Sequence, residues 1–245
     1  MTAMPLNLFA PRHVTAIHSV ARSHVGLVRV INEDRVFDCP DRAVWAVADG
    51  MGGHAGGDVA AQAVVDRLRA LTAGDRTLRF TDMLVALGQA NGDIRQRNDR
   101  LRTAAGATVV AAMIEGSTAH ISWAGDSRAY RLRADRLDLL THDHSVVQEL
   151  VDAGLLSPDR ADSHPQSHVV TRALGVDDDP RLQTVSVRLS PGDRLLLCSD
   201  GLSRSLGVTD VPDGSIATQA DHWLANALAR DGSDNISLIV LDWAG

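Results

Sequence analysis

A chain of 245 residues with 44% hydrophobic content is long enough to bury a sizeable core as one large domain and is too apolar to be disordered. Its net charge of −7 argues against non-specific attachment to nucleic acid or anionic membrane, and its 3% aromatic content argues against recognition by stacking on bases or sugars. Cys39 and Cys198 are far apart and form no CxxC, as expected of reduced thiols in a cytosolic protein. No run approaches the ~18 consecutive apolar residues of a membrane span, and no charged-then-apolar leader is present. The expectation is a cytoplasmic monomer with no membrane or nucleic-acid partner.

Residues 1–15 hold two prolines and no sustained periodicity, and read as a tail; 16–245 read as a single domain. A weak alternation over 16–22 predicts a first strand. GLVRVINED (26–34) follows, which by local pattern is a hairpin with solvated charges. In a functional reading, Arg29 is a planar two-pronged donor for a phosphate, and Glu33 and Asp34 serve a metal region.

The apolar run 43–48 predicts a buried strand ending in Asp49. Five glycines follow within eight residues: Gly50, Gly52, Gly53, Gly56 and Gly57. Such a cluster implies left-handed backbone or close approach of the main chain to something bound. A carboxylate beside bare backbone suits a metal or phosphate site, although the stretch alone also reads as an ordinary strand-to-helix turn. Asp58 is placed to cap a helix with an apolar stripe at Val59, Ala63, Val64, Leu68 and Leu71, and Thr81 to open a second with Leu84, Leu87 and Ile94 on one face.

From Gly106 the pattern turns to short strands over 108–114, 119–124, 129–133 and 137–140. The turn signals at 116–117 and 125–127 predict antiparallel pairing of successive strands. Asp126 follows the second of them. The segment 141–175 breaks the regularity: a short helical stretch (146–156) lies among His142, His144, His164 and His168. Their irregular spacing fits surface or satisfied histidines better than metal ligands. A long irregular insertion of this kind reads as a functional lid or a disordered segment. Strands over 182–189 and 194–199 come next, the latter terminating in Asp200, followed by a helix over 215–230 and a last strand over 236–243, preceded by Asp234 and Asn235.

Asp49, Asp126 and Asp200 each follow an apolar run and adjoin a glycine, while Asp234 precedes the last one. Strand-end carboxylates that converge repel one another unless a cation neutralises them. An all-oxygen donor set selects a hard ion, Mg2+ or Mn2+. Two such ions about 4 Å apart acidify a shared water and aim it at phosphorus.

GLVRVINED, VADGMGGHAGG, AGDSRAY, CSDGLS and DGSDNIS, in that order over about 22–243, resemble the protein phosphatase 2C family of metal-dependent serine/threonine phosphatases in its bacterial form. The resemblance implies an α+β fold, a four-layered α-β-β-α sandwich with two central antiparallel sheets between helices, plus a flap at 141–175. It implies two core Mn2+ or Mg2+ ions, bridged by Asp49 and bound by the Gly50 carbonyl, Asp200 and Asp234, and a weaker third ion at Asp126. Arg29 would hold the substrate phosphate, with Glu33, Asp34 and Asn235 supporting the site. Met51 stands where eukaryotic members carry a histidine general acid, so His54 or a bound water becomes the proton donor; Ala107 replaces a threonine often found there. The implied activity is hydrolysis of phosphoserine and phosphothreonine in proteins, opposing a bacterial Hanks-type kinase. The alternatives are a catalytically inactive phosphoprotein-binding or regulatory module, and a switch phosphatase, for whose sensor domain the sequence leaves no room.

Overall fold

Ten strands and five helices are present in a computed structural model that describes residues 17–52, 56–207 and 211–244; the tail assigned to 1–15 and His54 lie outside the described residues. The strands are β1 (Ile17–His24), β2 (Arg35–Cys39), β3 (Val44–Met51), β4 (Gly106–Glu115), β5 (Thr118–Ala124), β6 (Arg128–Arg133), β7 (Arg136–Leu139), β8 (Gln183–Arg188), β9 (Arg194–Cys198) and β10 (Ile236–Trp243). The helices are α1 (Gly57–Thr72), α2 (Phe80–Leu101), α3 (Val146–Asp152), α4 (Asp200–Ser203) and α5 (Ile216–Arg230). Among these residues no helix is long and apolar enough to cross a membrane.

Two five-stranded antiparallel sheets form the centre, one ordered β1-β10-β9-β6-β7 and the other β2-β3-β4-β5-β8. Their middle strands are apolar on both faces because both faces are covered. Along β3, Val44, Ala46 and Ala48 face α1 and α2, whereas Trp45 and Val47 meet the other sheet. On β10, Ile239 and Leu241 pack between the sheets, and Leu238 and Val240 pack against Ala220 and Trp223 of α5. The period-two alternation of the strands thus separates three apolar layers, which is the sandwich that the family resemblance implied.

Three local expectations are corrected. GLVRVINED is not a hairpin: β1 and β2 lie in different sheets, so the stretch is a crossing loop. The same holds at 125–127, where β5 and β6 belong to different sheets, although β4–β5 and β6–β7 do pair as predicted. Periodicity identifies a strand but not the sheet it joins. The helix starts also differ. Gly56 precedes α1, which leaves Asp58 inside the first turn, and α1 buries Ala60, Ala61, Val64, Val65 and Leu68 while Val59 is exposed. Arg79 caps α2 with the Asp82 carboxylate accepting from its amide, so Thr81 lies within the helix.

Candidate active site

The two crossings and the antiparallel register bring one end of each sheet together. The end of β3 lies beside the start of β4, with Asp49 opposite Thr108 and Gly50 opposite Ala107. Asp49 is therefore held within the strand ladder, two residues before the strand ends, and not at its terminus. The end of β9 lies beside the start of β10, which sets Asp200, the first residue of α4, next to Asp234 and Asn235. The crossing after β5 delivers Asp126 to the same edge. A cleft of about 560 Å³ opens there, lined by Val28, Arg29, Glu33, Asp49, Gly50, Met51, Thr108, Asp126, Asp200, Asp234 and Asn235, with His168 and Val170 from the 141–175 segment.

Backbone packing fixes this edge. A Cβ on Gly50 would stand 2.2 Å from the Gly57 carbonyl oxygen and 2.8 Å from that of Glu33, so only glycine lets the three segments meet. Gly26 has φ +84°, and a Cβ there would be 2.2 Å from the Asp234 carbonyl oxygen. Asn235 completes the junction: its Nδ2 donates to the carbonyls of Val25 (2.9 Å) and Ile31 (3.0 Å), and its Oδ1 accepts from the amide of Glu33 (2.7 Å). The loop carrying Arg29 is thereby closed on itself. Arg29 Nη2 meets Asp234 Oδ2 at 2.8 Å, and Asp234 Oδ1 accepts from the Asn235 amide at 2.8 Å.

The carboxylates are crowded. Burial holds Asp49 well above the ordinary carboxylate range, and the charges of Asp34, Asp200, Asp126 and Asp234 add to the effect. Asp34 is pushed up to about 7 by burial and by Asp200 and Asp234, against hydrogen bonds from Ser237 and Ser199. Asp126 also rises to about 7, through burial, Asp200 and Asp143, with Arg204 opposing. Asp200 is raised by burial and Asp234, and Glu33 by burial and Asp58.

The anionic edge thus carries Arg29 at its mouth. The sequence pattern of the family described as "Protein phosphatase 2C" matches residues 28–232. The chain belongs to the protein phosphatase 2C family. Among its phosphatase 2C relatives, the serine/threonine protein phosphatase PstP of Mycobacterium tuberculosis is 36% identical over 241 residues, 94% of this chain but 46% of PstP, so the chain spans about half the length of that relative. The serine/threonine phosphatase Stp of Listeria welshimeri is 34% identical over 92% of this chain and 96% of its own. A crystal structure of the PstP catalytic domain in complex with two manganese ions superposes with a TM-score of 0.83 at 32% identity, covering 94% of this chain and 99% of that one.

For a phosphatase 2C chain the next test is whether these residues suit a divalent cation. Among the described residues no three His, Cys, Asp or Glu side chains close into a ready metal cage. Arginines hold two of the carboxylates instead: Arg29 on Asp234, and Arg204 on Asp200 Oδ2 at 2.5 Å. The donor chemistry nevertheless fits. Asp200 Oδ1 and Asp34 Oδ1 are buried without a partner, the strand-end side chains that converge here are carboxylates, and burial raises Asp34 and Asp49 toward the protonated form, a cost that a hard cation would relieve.

Several contributors were missed in the sequence. Arg204 stands one helical turn after Asp200, a spacing that was readable but not weighed. Ser199 donates to Asp34 Oδ2 at 2.8 Å and accepts from the Ser237 amide at 2.9 Å, a link carrying no motif of its own. The histidines largely serve the fold, as their spacing suggested. His142 meets Asp152 at 2.7 Å, His144 is buried between the Gly125 amide and Gln183, and His164 accepts from the Gln166 amide. His168 lines the cleft.

Proposed function

We propose that the protein is a metal-dependent phosphatase acting on phosphoserine and phosphothreonine in proteins. The observation that carries this reading is the placement of Arg29 at the mouth of a cleft floored by Asp49, Asp126, Asp200 and Asp234, in a chain of the phosphatase 2C family. The edge is suited to an anionic phosphate only when cations offset its carboxylates. Asp49, the Gly50 carbonyl, Asp200 and Asp234 would hold two Mn2+ or Mg2+ ions, with Asp126 at a weaker third position. Bound there, the ions supply an acidified water as nucleophile and compensate phosphate charge.

The chain's own residues do the rest. Arg29 exchanges Asp234 for the substrate phosphate, and its fork gives two parallel donors that orient phosphorus. Asn235 holds the Arg29 loop at fixed distance from the carboxylates, which is the positioning such a reaction requires. Ser199 and Ser237 fix Asp34 behind the edge. Phosphorylated proteins are then the substrates, with a serine/threonine kinase as the opposing enzyme.

Hydrolysis of p-nitrophenyl phosphate and of a phosphothreonine peptide, with Mn2+ titrated against EDTA, tests the reading. Turnover that requires Mn2+ and is lost in Asp49→Ala is the expected result. Folded protein that binds Mn2+ and turns over neither compound would replace it with the inactive phosphoprotein-binding module.

A further inference from the structure

The crossing loop between β1 and β2 leaves four aliphatic side chains in solvent. Leu27, Val28, Val30 and Ile31 are 68%, 69%, 95% and 60% exposed, and they bracket Arg29. Single exposed aliphatics are ordinary, but four within five consecutive positions beside a cleft form a contact surface. The loop is not poised to turn them inward. Leu27 N donates to the Gly232 carbonyl at 2.6 Å, and Asn235 grips the carbonyls of Val25 and Ile31 and the amide of Glu33. Val28 lines the cleft itself, so the apolar rim is continuous with the phosphate position at Arg29. The 141–175 segment adds Val170 to the lining, with exposed Val169 beside it.

Charge narrows the occupant. The cations proposed for the cleft would offset its interior carboxylates, but the chain as a whole, at −7, stays acidic around the rim when they are bound. Acidic flanks on a substrate would meet like charge, whereas aliphatic flanks would cover the rim and release its water. We infer that the loop is the docking surface for the protein substrate, and that it selects an extended segment in which large aliphatic side chains flank the phosphorylated residue. This rests on the phosphatase reading and adds the substrate class.

The test uses the Mn2+-loaded full chain and phosphothreonine peptides whose flanks are all leucine, all serine or all aspartate, together with p-nitrophenyl phosphate. The leucine-flanked peptide is expected to exceed the serine-flanked one in kcat/KM by roughly tenfold, through KM, with the aspartate-flanked peptide poorest. In the variant Val30→Ser, at the most exposed of the four, that preference should shrink to about threefold or less, with p-nitrophenyl phosphate turnover unchanged. Equal kcat/KM for leucine and serine flanks, or a preference that survives in the variant, overturns the inference. So does a wild-type dimer that Val30→Ser converts to monomer in sedimentation, because a second copy would then cover the rim. Absence of turnover of both p-nitrophenyl phosphate and every phosphothreonine peptide in the wild type removes the phosphatase reading itself, and this proposal with it.

Discussion

Asn235 Oδ1 accepts the amide hydrogen of Glu33 at 2.7 Å across 202 residues of sequence, and in doing so joins the start of β10 to the loop of Arg29. Its Nδ2 closes the same loop from the other side through Val25 and Ile31. Replacing Asn235 by alanine deletes three hydrogen bonds to partly buried backbone and should lower stability by roughly 2–3 kcal/mol. With Arg29 no longer held, KM for a phosphopeptide should rise by about tenfold, a loss of ~1.4 kcal/mol in phosphate positioning. Denaturant melts and steady-state kinetics check both; a variant with wild-type stability and KM would show that the clamp positions nothing.

Arg204 neutralises one oxygen of Asp200 and opposes the rise of Asp126. It acts as a tethered cation at the side of the cluster where the third ion is assigned. Arg204→Ala should therefore tighten Mn2+ at the weakest site by roughly tenfold, since a neighbouring positive charge is removed and a carboxylate oxygen freed. Isothermal titration of both proteins would show it. Indistinguishable isotherms would mean that the guanidinium and the ion do not compete.

The crowded carboxyls make metal-free stability depend on pH with a definite sign. Burial and neighbouring carboxylates push Asp34 and Asp126 up to about 7 in the folded chain and hold Asp49 well above its ordinary value, while an unfolded aspartate titrates near 4. An acid whose folded pKa is raised favours the fold while protonated. Its contribution is complete below the unfolded value and is lost as pH climbs through the folded one. In EDTA the protein should thus melt on the order of 5 °C lower at about pH 8 than at about pH 5.5, and Mn2+ should abolish most of that difference by taking the place of the protons. A melting temperature that rises with pH in EDTA would contradict the electrostatic picture.

Gly50→Ala places a methyl 2.2 Å from the Gly57 carbonyl oxygen, against backbone on both sides. The expected cost is roughly 1–3 kcal/mol, with weakened Mn2+ binding because the Gly50 carbonyl shifts with its segment. Thermal melts and Mn2+ titration read the two effects, and an unperturbed variant would show that the segments can separate freely.

The parts of this site that were legible in the sequence share one property. Asp49, Asp126, Asp200 and Asp234 each adjoin an apolar strand, and three of them adjoin a glycine, so local pattern marked them and motif order placed them together. The sandwich came from the family resemblance that the ordered motifs carry, and the local pattern by itself gave only strands with antiparallel neighbours. What stayed hidden depends on contacts distant in sequence. The loop of Arg29 looked like a hairpin because its flanking strands alternate like any pair, and only sheet order shows that β1 pairs with β10 instead. Ser199 is an ordinary residue until β9 and β10 meet, whereas Arg204 pairs with Asp200 locally, one helical turn on, and lacks only a motif to mark it. The stripe on α1 was misjudged at Val59 because the sheet below is already lined with small residues, Ala46, Ala48 and Ala111, and accepts the Ala60–Ala61 face.

The assignment of the carboxylate edge is tested most directly by an anomalous-scattering map from crystals grown with Mn2+, for wild type and Asp49→Ala. Two strong peaks between Asp49, Asp200 and Asp234 in the wild type, both lost in the variant with the fold intact, are the expected result. Peaks that persist without Asp49, or that lie away from this edge, would contradict it.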